Sequence, residues 1–144
     1  MCKHLRIVLP NEPGEAASAI GQLVALPPYE FNVLGYMLAD LGDAGVLHLL
    51  VTHHDKALLL LKDKYKNRVA EKDVVIVSIP NQPGQLLKLL NALASESINV
   101  RTSYQAASEE GMALIVIELN NPEDRARANK LLSKKKADVV TKQP

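Results

Sequence analysis

One short motif occurs twice in this chain. Leu9-Pro10-Asn11-Glu12-Pro13-Gly14 returns as Ile79-Pro80-Asn81-Gln82-Pro83-Gly84, a shift of 70 positions from Pro10 to Pro80. Each copy follows an alternating apolar run, Leu5, Ile7 and Leu9 in the first and Val75, Val77 and Ile79 in the second, which is the period of a strand. Each copy also precedes helical spacing. Ala16, Ile20, Leu23 and Val24 are expected on one buried helix face, and Leu86, Leu90, Leu93 and Ala94 on its counterpart. A fixed-period repeat constrains the fold more than composition does, because each copy must be a complete supersecondary unit.

The match continues downstream. Phe31-Asn32-Val33 and Ile98-Asn99-Val100 open a second strand in each half, at a shift of 67, so the first half holds three extra residues. Leu26-Pro27-Pro28-Tyr29 is the expected place for them, since Pro-Pro ends a helix. Polar, Gly-containing links at Asp40–Gly45 and Ser108–Gly111 predict hairpins into third strands over 46–52 and 112–119. Second helices follow, with Asp55 and Asn121 as expected N-caps and Pro122 in the first turn. Ala57, Leu58, Leu61 and Tyr65 mark the buried face of the first of these helices. Short closing strands are expected near Arg68-Val69-Ala70 and Asp138-Val139-Val140. The reading is α+β: two ferredoxin-like βαββαβ units in tandem, residues 1–71 and 72–144, with antiparallel sheets and helices on one face. The third strands are apolar on both faces, which predicts cover on both.

Composition narrows the function. Units of about 70 residues are marginal alone, so the halves are expected to pack tightly, the 47% hydrophobic content supplying the core. A formal charge of +1 recommends neither nucleic acid nor a membrane surface as partner. No apolar stretch approaches a membrane span, and Met1-Cys2-Lys3-His4 does not read as a secretory leader. A lone Cys2 gives no disulfide framework, so a cytoplasmic location is expected.

With both motifs present in both halves, the sequence resembles the ACT domain family, βαββαβ modules that usually bind amino acids and regulate metabolism. The resemblance covers nearly the whole chain and implies a stand-alone tandem ACT protein. In the family's serine-binding domains, asparagines at the two motif positions contact the ligand, which here implies Asn11 with Asn32 and Asn81 with Asn99. The residues fit that chemistry. Free N–H groups at a helix N-terminus receive a carboxylate, Gly14 and Gly84 allow close backbone approach, Pro13 and Pro83 stiffen the turn, and an asparagine amide offers donors and an acceptor. Gln82 leaves a neutral rim where Glu12 repels a carboxylate, so the Asn81 site is expected to be the better one. Leu9 and Ile79 stand where some members of the family carry a polar ligand contact.

The resemblance thus implies a non-catalytic regulatory protein, not an enzyme, that binds a small-molecule amino acid at an ACT–ACT interface, needs no cofactor and pairs as a homodimer. The alternative is an interaction module that holds a metabolic enzyme or regulator without a ligand of its own. Other readings find less support. Asparagines at such turns also serve as backbone caps. His48, His53 and His54 with Cys2 and His4 lack zinc spacing, and His53-His54 reads as a solvated strand end. Lys134-Lys135-Lys136 ends a helix, where cations offset the dipole. RNA recognition on this topology uses sheet aromatics, but one Phe and four Tyr do not supply the pattern. No nucleophile with a base, and no buried carboxylate pair, points to catalysis.

Overall fold

The structure is a computed structural model and describes residues 2–25, 30–134 and 138–139. Leu26-Pro27-Pro28-Tyr29, Lys135, Lys136 and Val140 lie outside the described residues. The elements run β1 (Cys2–Leu9), α1 (Glu15–Val24), β2 (Val33–Asp40), β3 (Gly45–Val51), α2 (His54–Tyr65), a 3-10 turn, β4 (Val69–Pro80), α3 (Gln85–Ser95), β5 (Val100–Ala106), β6 (Met112–Leu119), α4 (Pro122–Lys134) and β7 (Asp138–Val139). Two compact units result: Lys3–Lys72, and the described residues from Asp73 onward together with Cys2.

In the first unit β3 lies between β1 and β2, antiparallel to both, and β4 pairs with the other side of β1. In the second, β6 lies between β5 and β4, and β7 pairs with the outer side of β4. The strand order is therefore the same in both, with β4 taking the place of β1. Even an irregularity repeats: the register slips between Val33 and Gly35 on β2 and between Val100 and Thr102 on β5. A bulge at the same point of both units bends the second strand just after its asparagine.

Each core lies between one sheet face and two helices. Leu5, Ile7, Leu47, Leu49 and Val51 meet Ala19 and Leu23 of α1 and Ala57, Leu61 and Tyr65 of α2. Val75, Val77, Ile115, Ile117 and Leu119 meet Leu89 and Leu93 of α3 and Ala128 and Leu132 of α4. All seven residues of β3 are buried, so both of its faces are covered, as its apolar pattern demands.

The sequence reading needs correction in four places. The repeat of the first helix is anchored at Ala19/Leu23 and Leu89/Leu93; Leu86 and Leu90 are 48% and 40% exposed, and Ala94 is exposed. Helix α3 is leucine-rich on several sides, and only the 89/93 edge points at the sheet. The closing strand of the first half and the opening strand of the second are one strand, β4, because Glu71-Lys72-Asp73 contains nothing to end it. Asp55 lies in the first turn of α2; the N-cap is His53, at φ 52° and without a side-chain cap bond. Finally, His54 is buried, not solvated: its Nε2 donates to the Glu71 carboxylate at 2.8 Å. Asn121 does cap α4, accepting the Asp124 N–H at 2.7 Å.

Candidate functional site

The two Asn-x-Pro-Gly junctions fold alike. Glu12 N–H donates to Pro10 O at 2.9 Å and Gln82 N–H to Pro80 O at 2.9 Å. Gly14 takes φ 86° and ψ −6°, and Gly84 takes φ 85° and ψ −11°. In both the glycine is the helix N-cap and sits in the left-handed region, which is why glycine is needed there. A Cβ at either position would meet nothing within 4 Å, so backbone conformation, not crowding, sets the requirement. The first bond back to each cap comes from Ser18 N–H to Gly14 O at 2.9 Å and Lys88 N–H to Gly84 O at 3.0 Å. Glu15 N–H donates to Glu12 O at 3.4 Å and Gln85 N–H to Gln82 O at 3.3 Å; the other first-turn N–H groups lack intrahelical acceptors and carry the positive end of the dipole.

The side chains of the junctions differ. Asn11 Nδ2 donates to Asp40 Oδ1 at 2.8 Å and to Gly42 O at 3.1 Å, while Gly42 N–H donates to Asp40 Oδ1 at 2.7 Å. Asn11 thus ties the junction to the β2–β3 hairpin through an Asx turn. In the second unit the backbone makes that tie, Asn81 N–H donating to Gly111 O at 2.9 Å. The Asn81 amide is exposed and makes no hydrogen bond to the described residues. Pro13 and Pro83 occupy matching turn positions, both exposed.

Charge also separates the copies. A recess of about 100 Å³ at the first junction is lined by Asn11, Glu12, Glu15, Leu38, Asp40 and Gly45. Three carboxylates therefore face it. The second junction has Gln82 and Gln85 where the first has Glu12 and Glu15. Asp40 was not singled out from sequence, although Asp40-Leu41-Gly42 is the signal of an Asx turn.

Asn32 and Asn99 lie elsewhere in their units. Asn32 immediately precedes β2; its N–H donates to Thr52 Oγ1 at 2.8 Å and its carbonyl accepts from Thr52 N–H at 3.0 Å. Asn11 is joined to the other end of β2, eight residues away, a span of roughly 25 Å at strand rise. Asn99 precedes β5, whereas Asn81 is joined to the far end of the β5–β6 hairpin. Within a unit the structure does not bring the two asparagines together. The side chains of Asn32 and Asn99 are exposed.

A further polar cluster is not visible in the sequence spacing. His54, with 1% of its side chain exposed, contacts Glu71 Oε2 at 2.8 Å, and Lys3 Nζ pairs with Glu71 Oε1 at 3.0 Å. The hydrogen bond from His54, then that from Lys3, holds the Glu71 carboxyl below its ordinary range. His54, Asp55 and Glu71 place three donor atoms within 4.8 Å of one another. The Lys3 ammonium and the His54 ring occupy both oxygens of Glu71, while His54 Nδ1 is buried without a hydrogen-bond partner among the described residues. None of the described helices is long and apolar enough to cross a membrane.

The model of the ACT domain family matches residues 74–136. Among solved structures, protein BT0572 from Bacteroides thetaiotaomicron is 30% identical over 96% of this chain and 91% of that one, with a TM-score of 0.82. The regulatory subunit of aspartate kinase from Thermus thermophilus shares the fold at 19% identity, covering 92% and 90% of the two chains with a TM-score of 0.65. That from Thermus flavus is 17% identical, covering 93% of each chain with a TM-score of 0.56. No curated protein sequence matches the chain. With a family match over the second unit, the same strand order in the first, and a full-length relative of the same fold, the chain belongs to the ACT domain family, as two βαββαβ units in one polypeptide.

Proposed function

We propose that this protein is a non-catalytic regulator that binds a free amino acid at an ACT–ACT interface, with the Asn81 junction as its principal site. The observation that carries the reading is the contrast between Asn11, whose amide is spent on Asp40 and Gly42, and Asn81, whose amide has no partner among the described residues. Beside Asn81 stand the first turn of α3, whose Gln85 N–H donates to Gln82 O at 3.3 Å while the next N–H groups have no intrahelical acceptor, Gly84 at its left-handed cap, and Pro83 and the neutral Gln82. A ligand carboxylate is stabilised there by donors and dipole together. At the first junction Glu12, Glu15 and Asp40 oppose it. Asn11, Pro13, Gly14 and Asn32 then keep mainly the scaffold role.

Because Asn81 and Asn99 lie at opposite ends of β5, one small ligand does not span both within a unit. The second asparagine of the pocket is supplied by another ACT unit, which makes occupancy depend on association, and a homodimer is the simplest arrangement. A ligand that prefers one association geometry shifts the population toward it, which is how a binder without an active site signals to a partner enzyme or regulator. The fold likeness to aspartate kinase regulatory subunits is consistent with such work in the cytoplasm. The test is a thermal-shift titration of the protein with each proteinogenic amino acid at millimolar concentration. At least one is expected to raise Tm, and Asn81→Ala and Asn99→Ala each to remove the rise without unfolding the protein. If no amino acid raises Tm, sensing is rejected in favour of an interaction module; a rise that survives both substitutions removes the site assignment.

A further inference from the structure

A pocket of about 630 Å³ opens in the second unit along α3, within the size range of small-molecule sites. Its floor is apolar: Ile79 of β4, Leu89 of α3 and Leu132 of α4, all buried. Its polar lining is Ser78, Gln85, Lys88, Asn91 and Ser95. Lys88 is the one charged residue among those described in the wall, and it forms no ion pair with any described residue. Among the described residues no carboxylate lines the pocket, and Asn81, Gln82, Pro83 and Gly84 do not either.

The first unit shows what a closed version of this seam looks like. The residue 70 positions before Lys88 is Ser18, whose Oγ accepts a hydrogen bond from Lys64 of α2 at 2.9 Å. The last buried residue of α2 is Tyr65, with the Lys64 ammonium 5.3 Å and the Arg68 guanidinium 5.5 Å from its ring centre. In the second unit the last buried residue among those described on the corresponding helix is Leu132, smaller than tyrosine, and the cation described in the wall, Lys88, is on the first helix.

From these features we propose that the pocket binds a small amphiphilic anion, an aliphatic monocarboxylate whose acid group pairs with Lys88 and whose hydrocarbon tail lies on Ile79, Leu89 and Leu132. Asn91 and Gln85 supply amide donors for the second carboxylate oxygen. An α-amino acid is a poorer fit, because its ammonium finds no counter-charge among the described residues of the wall and would be desolvated beside Leu89. The site shares Pro80 and Gln85 with the second junction but not Asn81, and it does not rest on the function proposed for that junction.

The test is a titration of the isotope-labelled full chain with hexanoate, and separately with hexylamine, followed by amide NMR shifts. Hexanoate is expected to give saturable shifts at Lys88, Asn91 and Leu132, and hexylamine none. Lys88→Gln, at an exposed position that leaves the core intact, is expected to weaken hexanoate about tenfold by removing a charge-assisted bond. Asn81→Ala is expected to leave hexanoate binding unchanged. The proposal is overturned if hexanoate produces no saturable shift, if hexylamine matches it, if Lys88→Gln binds as well as the parent, or if Asn81→Ala removes the response.

Discussion

Asn11 and Asn81 hold equivalent places in the sequence repeat but not in the structure, so replacing each by alanine should have unequal consequences. Asn11→Ala deletes two hydrogen bonds from one amide, at 2.8 Å to a carboxylate oxygen and at 3.1 Å to the Gly42 carbonyl. A protein hydrogen bond contributes about 0.5–1.5 kcal/mol net, more to a charged acceptor and less where water competes. Both bonds are exposed, so the sum expected is about 1–2 kcal/mol. Asn81→Ala deletes no side-chain hydrogen bond and leaves the backbone bond to Gly111 in place, so a change within about 0.5 kcal/mol is expected, as for ordinary surface sites. Urea unfolding of the two variants without ligand measures the difference, and Tm should fall by about 3 °C per kcal/mol. A cycle with Asp40→Ala isolates the 2.8 Å contact, with a coupling of about 1 kcal/mol expected. Equal losses for Asn11→Ala and Asn81→Ala, or no coupling to Asp40, would refute the division of labour between the two junctions.

Two further outcomes follow from the same geometry. Gly84→Ala forces a Cβ onto φ 85° in open space, so a loss of about 1–2 kcal/mol is expected from backbone strain alone, with Gly84→Asn milder; denaturant melts that rank asparagine below alanine would contradict this. Glu71 is held below its ordinary range by His54 and Lys3, so its folded-state value lies below its unfolded one. Its stabilisation is therefore full above the unfolded value and is lost as pH falls through the folded one. Glu71→Gln should accordingly be less stable than the parent near neutral pH and converge with it in acid, read from Tm against pH.

The architecture was legible because it is written twice in period-two and helical patterns that burial enforces. Element order and the buried faces of β1, β3 and α2 follow from Leu5, Ile7, Leu47, Leu49, Ala57 and Leu61, each of which is buried as its spacing implies. The buried edge of α3 was not legible from hydrophobicity, because Leu86, Leu87, Leu89, Leu90 and Leu93 all satisfy an apolar test and only packing selects Leu89 and Leu93. At the site, the repeated motif located the loop, the cap and the free helix end. It did not reveal that Asn11 is consumed by Asp40, since hydrogen bonding between residues 29 positions apart leaves no period in a sequence. Nor did it reveal that Asn11 and Asn32 are separated by the length of β2: proximity to one strand says nothing about which end. His54 and Glu71 escaped notice for the same reason, their meeting being a product of the α2–β4 arrangement.

Strand β4 runs for twelve residues from Val69 to Pro80, and the repeat boundary falls inside it. Any attempt to dissect the gene into separately expressed halves must therefore cut through hydrogen-bonded backbone, leaving a raw strand end on each product. A fragment ending at Lys72 loses most of β4, and one starting at Asp73 begins in mid-strand. Overlapping fragments that both retain 69–80 are the sound way to study either copy alone, and a linker inserted at 72/73 interrupts β4 rather than a loop.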